Sequence, residues 1–239
     1  MEDQNINQSL ANKEELPKTT QVVLFSGGRD STLTASLLMM RNIPVYLLSA
    51  NSGASVHRDV TQYRIKELIR KFGKNLVVGY KTLDISGTFR SIALENIEQD
   101  ILTDKKNLVV VGEMLAIMAH VIDFCLRSHL SVVNCGFTKY QAEFPEQRES
   151  SIEFISNFLK KYHIHLECPI YHDASTIEYV KYKLLQIGLS NKPLEGSTLF
   201  SDTFSRADDQ TILNYLERKE MMAHEHIKFL TQNLFEHSI

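Results

Sequence analysis

Val22-Val23-Leu24-Phe25-Ser26-Gly27-Gly28-Arg29-Asp30-Ser31 is the stretch on which the fold turns. Four apolar residues ending at Phe25 form a short β-type run, and a helix-like stretch follows from Thr32 to Arg41. The segment therefore predicts a buried strand, a tight loop and the start of a helix. Gly27 and Gly28 permit a sharp turn and the close approach of an anion, while the amides and dipole at a helix start favour negative charge. Ser26 and Ser31 add hydroxyl donors. A carboxylate is out of place beside phosphates unless a cation lies between them, so Asp30 reads as a Mg²⁺-linked residue and the candidate metal ligand. The plainer alternative is a Ser-Gly-Gly turn followed by an Asp30 or Ser31 N-cap. The complete S-G-G-x-D-S string between strand and helix favours the anion cradle. Neither a G-x-x-x-x-G-K-[ST] string nor G-x-G-x-x-G occurs, so the cradle is of another kind.

Outward from this loop, strands and helices alternate. Val45 to Ser49 reads as a second buried strand, with a polar loop from Ala50 to Ser55. An amphipathic helix carrying Val60, Tyr63, Ile65, Leu68, Ile69 and Phe72 stops at Gly73, and a third strand follows from Leu76 to Tyr80. Helices are expected near Thr88–Leu102 and Glu113–Ser128, then a strand over Leu130–Asn134 and a loop opened by Gly136. Helices near Arg148–Tyr162 and Ser175–Ile187 flank an extended segment, His163–Cys168, and a long mixed-charge helix runs from about Asp208 to Asn233. Such alternation requires crossover connections and a parallel sheet. The fold class is α/β, a parallel sheet flanked by helices with a helical C-terminal extension. Residues 1–20 are expected as a loose polar tail, 21–190 as the nucleotide-binding domain and 191–239 as the extension.

A chain of 239 residues that is 43% hydrophobic can bury one sizeable core. Its formal charge of -3 gives no broad footprint for nucleic acid. Cys125, Cys135 and Cys168 have no C-x-x-C spacing and read as reduced, buried thiols. No segment reads as a signal peptide or as the roughly 18 apolar residues of a membrane span, so a cytoplasmic protein without a membrane partner is expected.

Leu24-Phe25-Ser26-Gly27-Gly28-Arg29-Asp30-Ser31 resembles the signature of the PP-loop ATP pyrophosphatases. Over nearly all of 21–190 the chain most resembles the 7-cyano-7-deazaguanine synthases of queuosine biosynthesis. The Gly136-Phe137-Thr138 turn, Phe144-Pro145-Glu146-Gln147-Arg148 ahead of Ile152-Glu153-Phe154-Ile155, and Ile187-Gly188-Leu189 carry that likeness. The resemblance implies a Rossmann-like PP-loop fold of the adenine nucleotide alpha hydrolase-like kind, with Mg²⁺ and ATP as cofactors. It places the nucleotide against Phe25, Ser26, Gly27, Gly28, Arg29, Asp30 and Ser31, with Phe25, Ser49, Ala50 and Asn51 lining the adenosine pocket and Gly112 and Gly136 completing the set. Asp30, Ser31 and Lys139 are the implied catalytic residues. Thr138, Phe144, Pro145, Glu146 and Arg148 would meet a small-molecule acceptor, a deazapurine carboxylic acid, and an ammonia source is the implied second partner. A homodimer is compatible with the family. The implied reaction adenylates the carboxylate, releases pyrophosphate and forms an amide or nitrile.

Three departures bear on function. The family's four-cysteine zinc cluster is missing, since no cysteine follows Cys168 and Ser197-Thr198-Leu199-Phe200 stands where the first ligand would be. No structural zinc is therefore expected. Asn51-Ser52-Gly53-Ala54 replaces the family's Asp-Tyr-Gly-Gln, and Val111-Gly112-Glu113-Met114 replaces Pro-Gly-Arg-Asn, putting Glu113 where the family has arginine. These changes keep two alternatives open: a PP-loop enzyme with another acceptor, such as a tRNA base or a protein terminus, or a nucleotide-binding protein without turnover. Lys139 and Arg148 read equally as neutralisers of an anionic intermediate or as surface charges, and His163, His165 and Glu167 as a solvated strand face rather than a metal site.

Overall fold

In chain order the strands are β1 (Gln21–Leu24), β2 (Val45–Asn51), β3 (Ser55–Val56), β4 (Val77–Asp84), β5 (Val132–Asn134), β6 (His165–Glu167) and β7 (Ser197–Thr198). The helices are α1 (Arg29–Met40), α2 (Val60–Phe72), α3 (Ser86–Phe89), α4 (Ile97–Asp104), α5 (Val109–Ser128), α6 (Glu149–Lys160), α7 (Ile177–Ile187) and α8 (Asp209–Phe235). This computed structural model describes residues 16–56, 60–193, 197–198, 200 and 205–235. Most of the expected 1–20 tail, residues 1–15, lies outside the described residues. Thr20 is buried, and its amide donates to the Pro17 carbonyl at 2.8 Å.

Five strands form one parallel sheet in the order β4-β2-β1-β5-β6. β1 is continuous in apolar character because helices cover both sheet faces: Val22 points into the core beneath α5, and Val23 into the core shared with α1, α2 and α7. Strand order reverses between β1 and β5, and open α/β sheets bind ligands beyond the carboxyl ends of their strands at such a switch point.

β2 and β4 run further than the apolar pattern indicates, pairing as far as Asn51 opposite Asp84. β4 is an edge strand, so exposed Lys81, Thr82 and Asp84 remain solvated within the sheet, and apolar runs underestimate its length. The helix expected over Thr88–Leu102 is interrupted. α3 passes into a π turn, Arg90–Leu94, in which the Glu95 amide reaches back to the Arg90 carbonyl at 2.8 Å, and α4 restarts after Asn96.

α5 corrects the expectation that no segment is long and apolar enough for a bilayer. Its 20 residues reach that length and hydropathy, but most of the helix is buried inside the fold, where it forms the spine of the larger core with α6 and α8 packed on it. Ile212, Tyr215 and Leu216 of α8 pack on Leu108 and Val111, and Ala223 and Ile227 join the main core. Lys219, almost fully buried, pairs with Asp100 at 2.6 Å, and Arg218 with Asp104 at 2.6 Å, fastening α4 to α8.

A second clamp lies on the opposite face. Arg64 is fully buried in α2 and donates to Glu67 at 2.5 Å and to the carbonyls of Ser190 and Lys192 at 2.7 and 3.0 Å. The other Glu67 oxygen accepts from the Ser190 amide at 2.6 Å. A guanidinium removed from water requires this many partners, and here they anchor the chain after α7 to α2. That chain then contributes β7, antiparallel to β3, which ties the loop after β2 to the approach to α8.

Candidate nucleotide-binding site

The loop after β1 is shaped by its glycines. Gly27 takes φ +82°, a left-handed conformation that L side chains rarely adopt, and a Cβ there would stand 2.9 Å from the Thr61 Cα at the start of α2. Gly28 is the N-cap of α1, and no side chain caps the helix. The expectation that Asp30 or Ser31 could be an ordinary cap therefore fails: both lie inside the first turn, after the cap. Ser26 is exposed at the rim, with its hydroxyl 3.3 Å from that of Ser31 and 3.2 Å from the Gly28 amide. The Ser31 and Thr32 hydroxyls donate to the Gly28 carbonyl at 3.2 and 2.6 Å, and Thr61 donates to the Ser26 carbonyl at 3.2 Å. These bonds pin the carbonyls of the loop.

Gly136 closes the other side. A Cβ on it would lie 2.6 Å from the Ser31 amide nitrogen, 2.8 Å from the Ser31 Cα and 2.9 Å from the Asp30 carbonyl carbon. The backbone after β5 thus lies directly against the first turn of α1, across the switch point, and only a glycine fits there. Thr138, two residues on, is fully buried. Its amide donates to Gln147 at 3.1 Å and its hydroxyl to Gln141 at 3.3 Å, while Gln147 donates to Gln141 at 3.0 Å. Thr138 organises the loop from inside.

Tyr140 is a site residue that the sequence does not single out. Its hydroxyl donates to both oxygens of Asp30, each at 2.9 Å. Nothing in the primary pattern sets it apart from other loop aromatics, because 110 residues separate the partners. Asp30 with the Ser26 and Ser31 hydroxyls offers hard oxygen donors at the head of a helix, a set that fits Mg²⁺ better than a soft metal.

The expected adenosine contacts divide. The Phe25 ring is buried in the core with Leu33 and Leu47, so only its backbone borders the site; its carbonyl accepts from the Ser49 hydroxyl at 2.6 Å. Ala50 packs towards the main core, and Asn51 turns its side-chain oxygen onto the Gly53 amide at 3.0 Å. Arg29 opens α1 and is half-buried. Gly112 sits within α5, where a Cβ would come within 2.5 Å of the Tyr215 hydroxyl and 2.7 Å of the Ala93 Cβ. Helix packing accounts for that glycine.

The expected acceptor residues also divide. Lys139 lies 3.5 Å from Glu149 on the exposed surface, and Arg148 donates to Asp209 of α8 at 2.6 Å. Each cation thus has a carboxylate beside it, Glu149 for Lys139 and Asp209 for Arg148. Pro145 is buried, and its carbonyl accepts from Ser151 at 2.5 Å; Phe144, half-buried, precedes it in the turn. Glu146 lies close to Glu113 of α5. Burial pushes the Glu146 carboxyl up to about 7; a hydrogen bond from its own amide opposes the rise, and the neighbouring Glu113 charge adds the smallest contribution, in the raising direction. Among the described residues its buried Oε2 has no hydrogen-bond partner. Glu113 is raised by burial too, opposed by a hydrogen bond from Ser52. Ser52, Glu113 and Glu146 are the positions at which this chain departs from the family motifs or meets the expected acceptor, and the fold gathers them together. Two shallow surface hollows, of about 380 Å³ beside Thr88 and His226 and about 460 Å³ beside Glu149 and Tyr171, are lined by other residues.

Among the described residues no three His, Cys, Asp or Glu side chains are grouped to hold a metal ion. His163 has φ 60° in the turn before β6, and His165 and Glu167 are exposed. Burial pushes the Cys125 and Cys168 thiols up to about 12 and Cys135 in the same direction, which keeps them protonated. Elemental analysis of the purified protein is accordingly expected to find no stoichiometric zinc; one tightly held zinc per chain, with unfolding on chelation, would contradict this.

No family model and no curated protein matches the sequence. Solved structures do match the fold. NMN synthetase from Francisella tularensis superposes with a TM-score of 0.51 at 16% identity, covering 92% of this chain and 87% of that one. A 4-thiouridine synthetase, solved with RNA and bound ATP, superposes with a TM-score of 0.54 at 13% identity, covering 90% of this chain and 53% of the synthetase. A predicted tRNA methyltransferase subunit from Methanocaldococcus jannaschii gives 0.46 at 18% identity, over 76% of this chain and 96% of that one. The fold is that of the PP-loop, adenine nucleotide alpha hydrolase-like proteins: a five-stranded parallel sheet between helices, with a helical C-terminal region.

Proposed function

We propose that this protein is an ATP-dependent PP-loop enzyme that adenylates an acceptor oxygen and releases pyrophosphate. The observation that carries the reading is the glycine-walled turn at the switch point, where Gly27, Gly28 and Gly136 bring backbone within reach of an anion at the start of α1. Two of its fold neighbours support the same chemistry, since both are synthetases and one of them was solved with bound ATP.

Mg²⁺-ATP would supply an electrophilic α-phosphorus. An acceptor carboxylate oxygen would bond to that phosphorus as the bond to pyrophosphate breaks, and ammonia would then displace AMP. The chain's part would be positioning and charge stabilisation: the loop amides and the Ser26 and Ser31 hydroxyls would hold the phosphates, and Asp30 would hold the cation. A deazapurine-like acid is the proposed acceptor, with Phe144 covering the ring and Glu146 accepting from its amine edge. Proximity of Glu146 to Glu113 suits a donor-rich edge there.

Incubation with Mg²⁺-ATP, 7-carboxy-7-deazaguanine and ammonia is expected to yield AMP and pyrophosphate. ADP and phosphate as products would overturn the chemistry, and AMP formed only with another acceptor would overturn the acceptor alone. Asp30→Asn should reduce turnover roughly tenfold or more while leaving the melting temperature nearly unchanged, because a half-buried carboxylate in the first turn of α1 that serves a cation contributes little to the core.

A further inference from the structure

We infer that the face formed by α2 and α7 binds single-stranded RNA and leads it to the nucleotide loop. The inference goes beyond the adenylation reading and does not depend on which acceptor the enzyme takes. The chain carries a formal charge of -3, but that charge is unevenly placed. Among the described residues, 60–75, which are α2 and the turn after it, hold five cations against one carboxylate. Residues 177–193, α7 and the chain after it, hold three against one. The remainder of the molecule is therefore net acidic, and an average over the whole chain hides a basic face. The fold puts the two basic segments side by side. Ile65 and Leu68 of α2 and Val180 and Leu184 of α7 enter the same core. Arg64 and Glu67 hold the backbone of Ser190 and Lys192 on α2, and the Lys71 Nζ lies 3.3 Å from where a Cβ on Gly188 would stand.

Arg70, Lys71, Lys74 and Lys192 are exposed on this face. Complementing the helix dipole accounts for Arg70 and Lys71 in the last turn of α2, but not for Lys74 and Lys192, which lie outside the helices. Nor does it account for Tyr63. The apolar spacing of α2 groups Tyr63 with the buried stripe, yet its side chain is 69% exposed. Tyr182, 59% exposed, stands between Lys181 and Lys183 on α7. Cations that track phosphates beside flat rings that stack bases are what a single strand requires, and RNA presents such unstacked bases in its loops and ends. An acidic peptide has no base to lay on Tyr63. The face also has a direction. α2 is 13 residues and about 20 Å long, and its first turn touches the nucleotide loop: Thr61 donates to the Ser26 carbonyl, and its Cα would lie 2.9 Å from a Cβ on Gly27. A strand followed from Lys74 to Tyr63 thus ends beside the loop.

The test is fluorescence anisotropy of a labelled RNA hairpin with an unpaired loop, titrated with the full chain at about 50 and 200 mM salt. Wild type is compared with Arg70→Glu/Lys74→Glu, with Tyr63→Ala and with Lys228→Glu on α8 as a control, each checked by thermal melting. Four phosphate contacts, at about 0.7 each in the log-log slope, predict that wild-type affinity falls roughly fiftyfold over that range. The double reversal is expected to reduce the slope by about 1.4 and to weaken binding at least about tenfold at the lower salt. Tyr63→Ala is expected to weaken binding about fivefold or more without changing the slope, the scale of one lost base stack. Lys228→Glu is expected to bind as wild type does. No saturable binding at the lower salt, or equal weakening by Lys228→Glu and by the double reversal, overturns the inference. Unchanged affinity in Tyr63→Ala would show that the face reads charge alone and overturn its assignment to unpaired RNA. Competition by poly-glutamate, or by phosphatidylserine vesicles, as effective as unlabelled RNA at equal charge would give the face to an acidic protein or a membrane instead. Each of these results leaves the assay for AMP and pyrophosphate untouched.

Discussion

Gly136→Ala is expected to reduce ATP-dependent turnover at least a hundredfold and to lower stability by about 1–3 kcal/mol. The added methyl would meet the Ser31 nitrogen, the Ser31 Cα and the Asp30 carbonyl carbon at 2.6, 2.8 and 2.9 Å, all of them backbone atoms. A flexible side-chain tip could rotate away, but the first turn of α1 cannot, so the helix start or the β5 loop must shift. Overpacking of this kind costs about 1–3 kcal/mol, and displacement of reacting groups by roughly 1 Å can cost a hundredfold in rate. Gly73→Ala provides the contrast. Gly73 has φ +84°, and among the described residues no atom lies within 4 Å of the place its methyl would take, so only the local backbone strain of about 1–2 kcal/mol applies. Melting curves with and without Mg²⁺-ATP, alongside pyrophosphate release, check both. A Gly136→Ala protein that keeps the nucleotide-induced rise in melting temperature would remove the β5 loop from the site.

Glu146→Gln is expected to stabilise the protein above pH 7 and to leave it unchanged near pH 4. The folded protein holds the Glu146 proton up to about pH 7, whereas an ordinary carboxyl releases it near 4.5. Between those values the native state binds more protons than the unfolded one, so stability is full below the lower value and falls as pH rises through the window. Integrated over the window, the loss is at most about 3 kcal/mol. Glutamine cannot ionise and should escape it, which for a chain of this size corresponds to roughly 2–4 °C in melting temperature per kcal/mol. Melts at about pH 4.5, 6 and 8 bracket the window and measure the difference. Parallel curves for the two proteins would show that the Glu146 carboxylate is well solvated. Glu113→Gln should give a smaller effect of the same sign, since its burial is offset by the Ser52 hydrogen bond.

The acidic pair also shows where primary structure stops being informative. Glu113 stands out in the sequence only as a departure from a family motif, and Glu146 only as a member of a loop. Their meeting depends on how α5 enters the fold beside the turn at Pro145–Gln147. Gly112 is a second case: the family resemblance suggested a place at the nucleotide, and only the fold shows that a side chain there would meet Ala93 and Tyr215. Lys139 and Arg148 likewise carry the charge an anionic substrate requires, but Glu149 and Asp209 engage them.

Primary structure dictates the local chemistry of the loop and the alternation that makes the sheet parallel. Val22 to Phe25 read as a strand covered on both faces, Gly27 is free to take a conformation that other residues rarely adopt, and S-G-G-x-D-S follows a strand and begins a helix. Those are short-range consequences of apolar pattern and backbone freedom, so a linear reading reaches them. The place of β5 next to β1, with the order reversing between them, emerges only once the chain is packed. That neighbour relation brings Gly136 against Ser31 and Tyr140 onto Asp30, and both contacts join residues more than a hundred positions apart. No local propensity encodes such a pairing. It arises because the sheet must cover two helical layers at once, and the strand packed against the first helix turn is selected by the burial of the whole core.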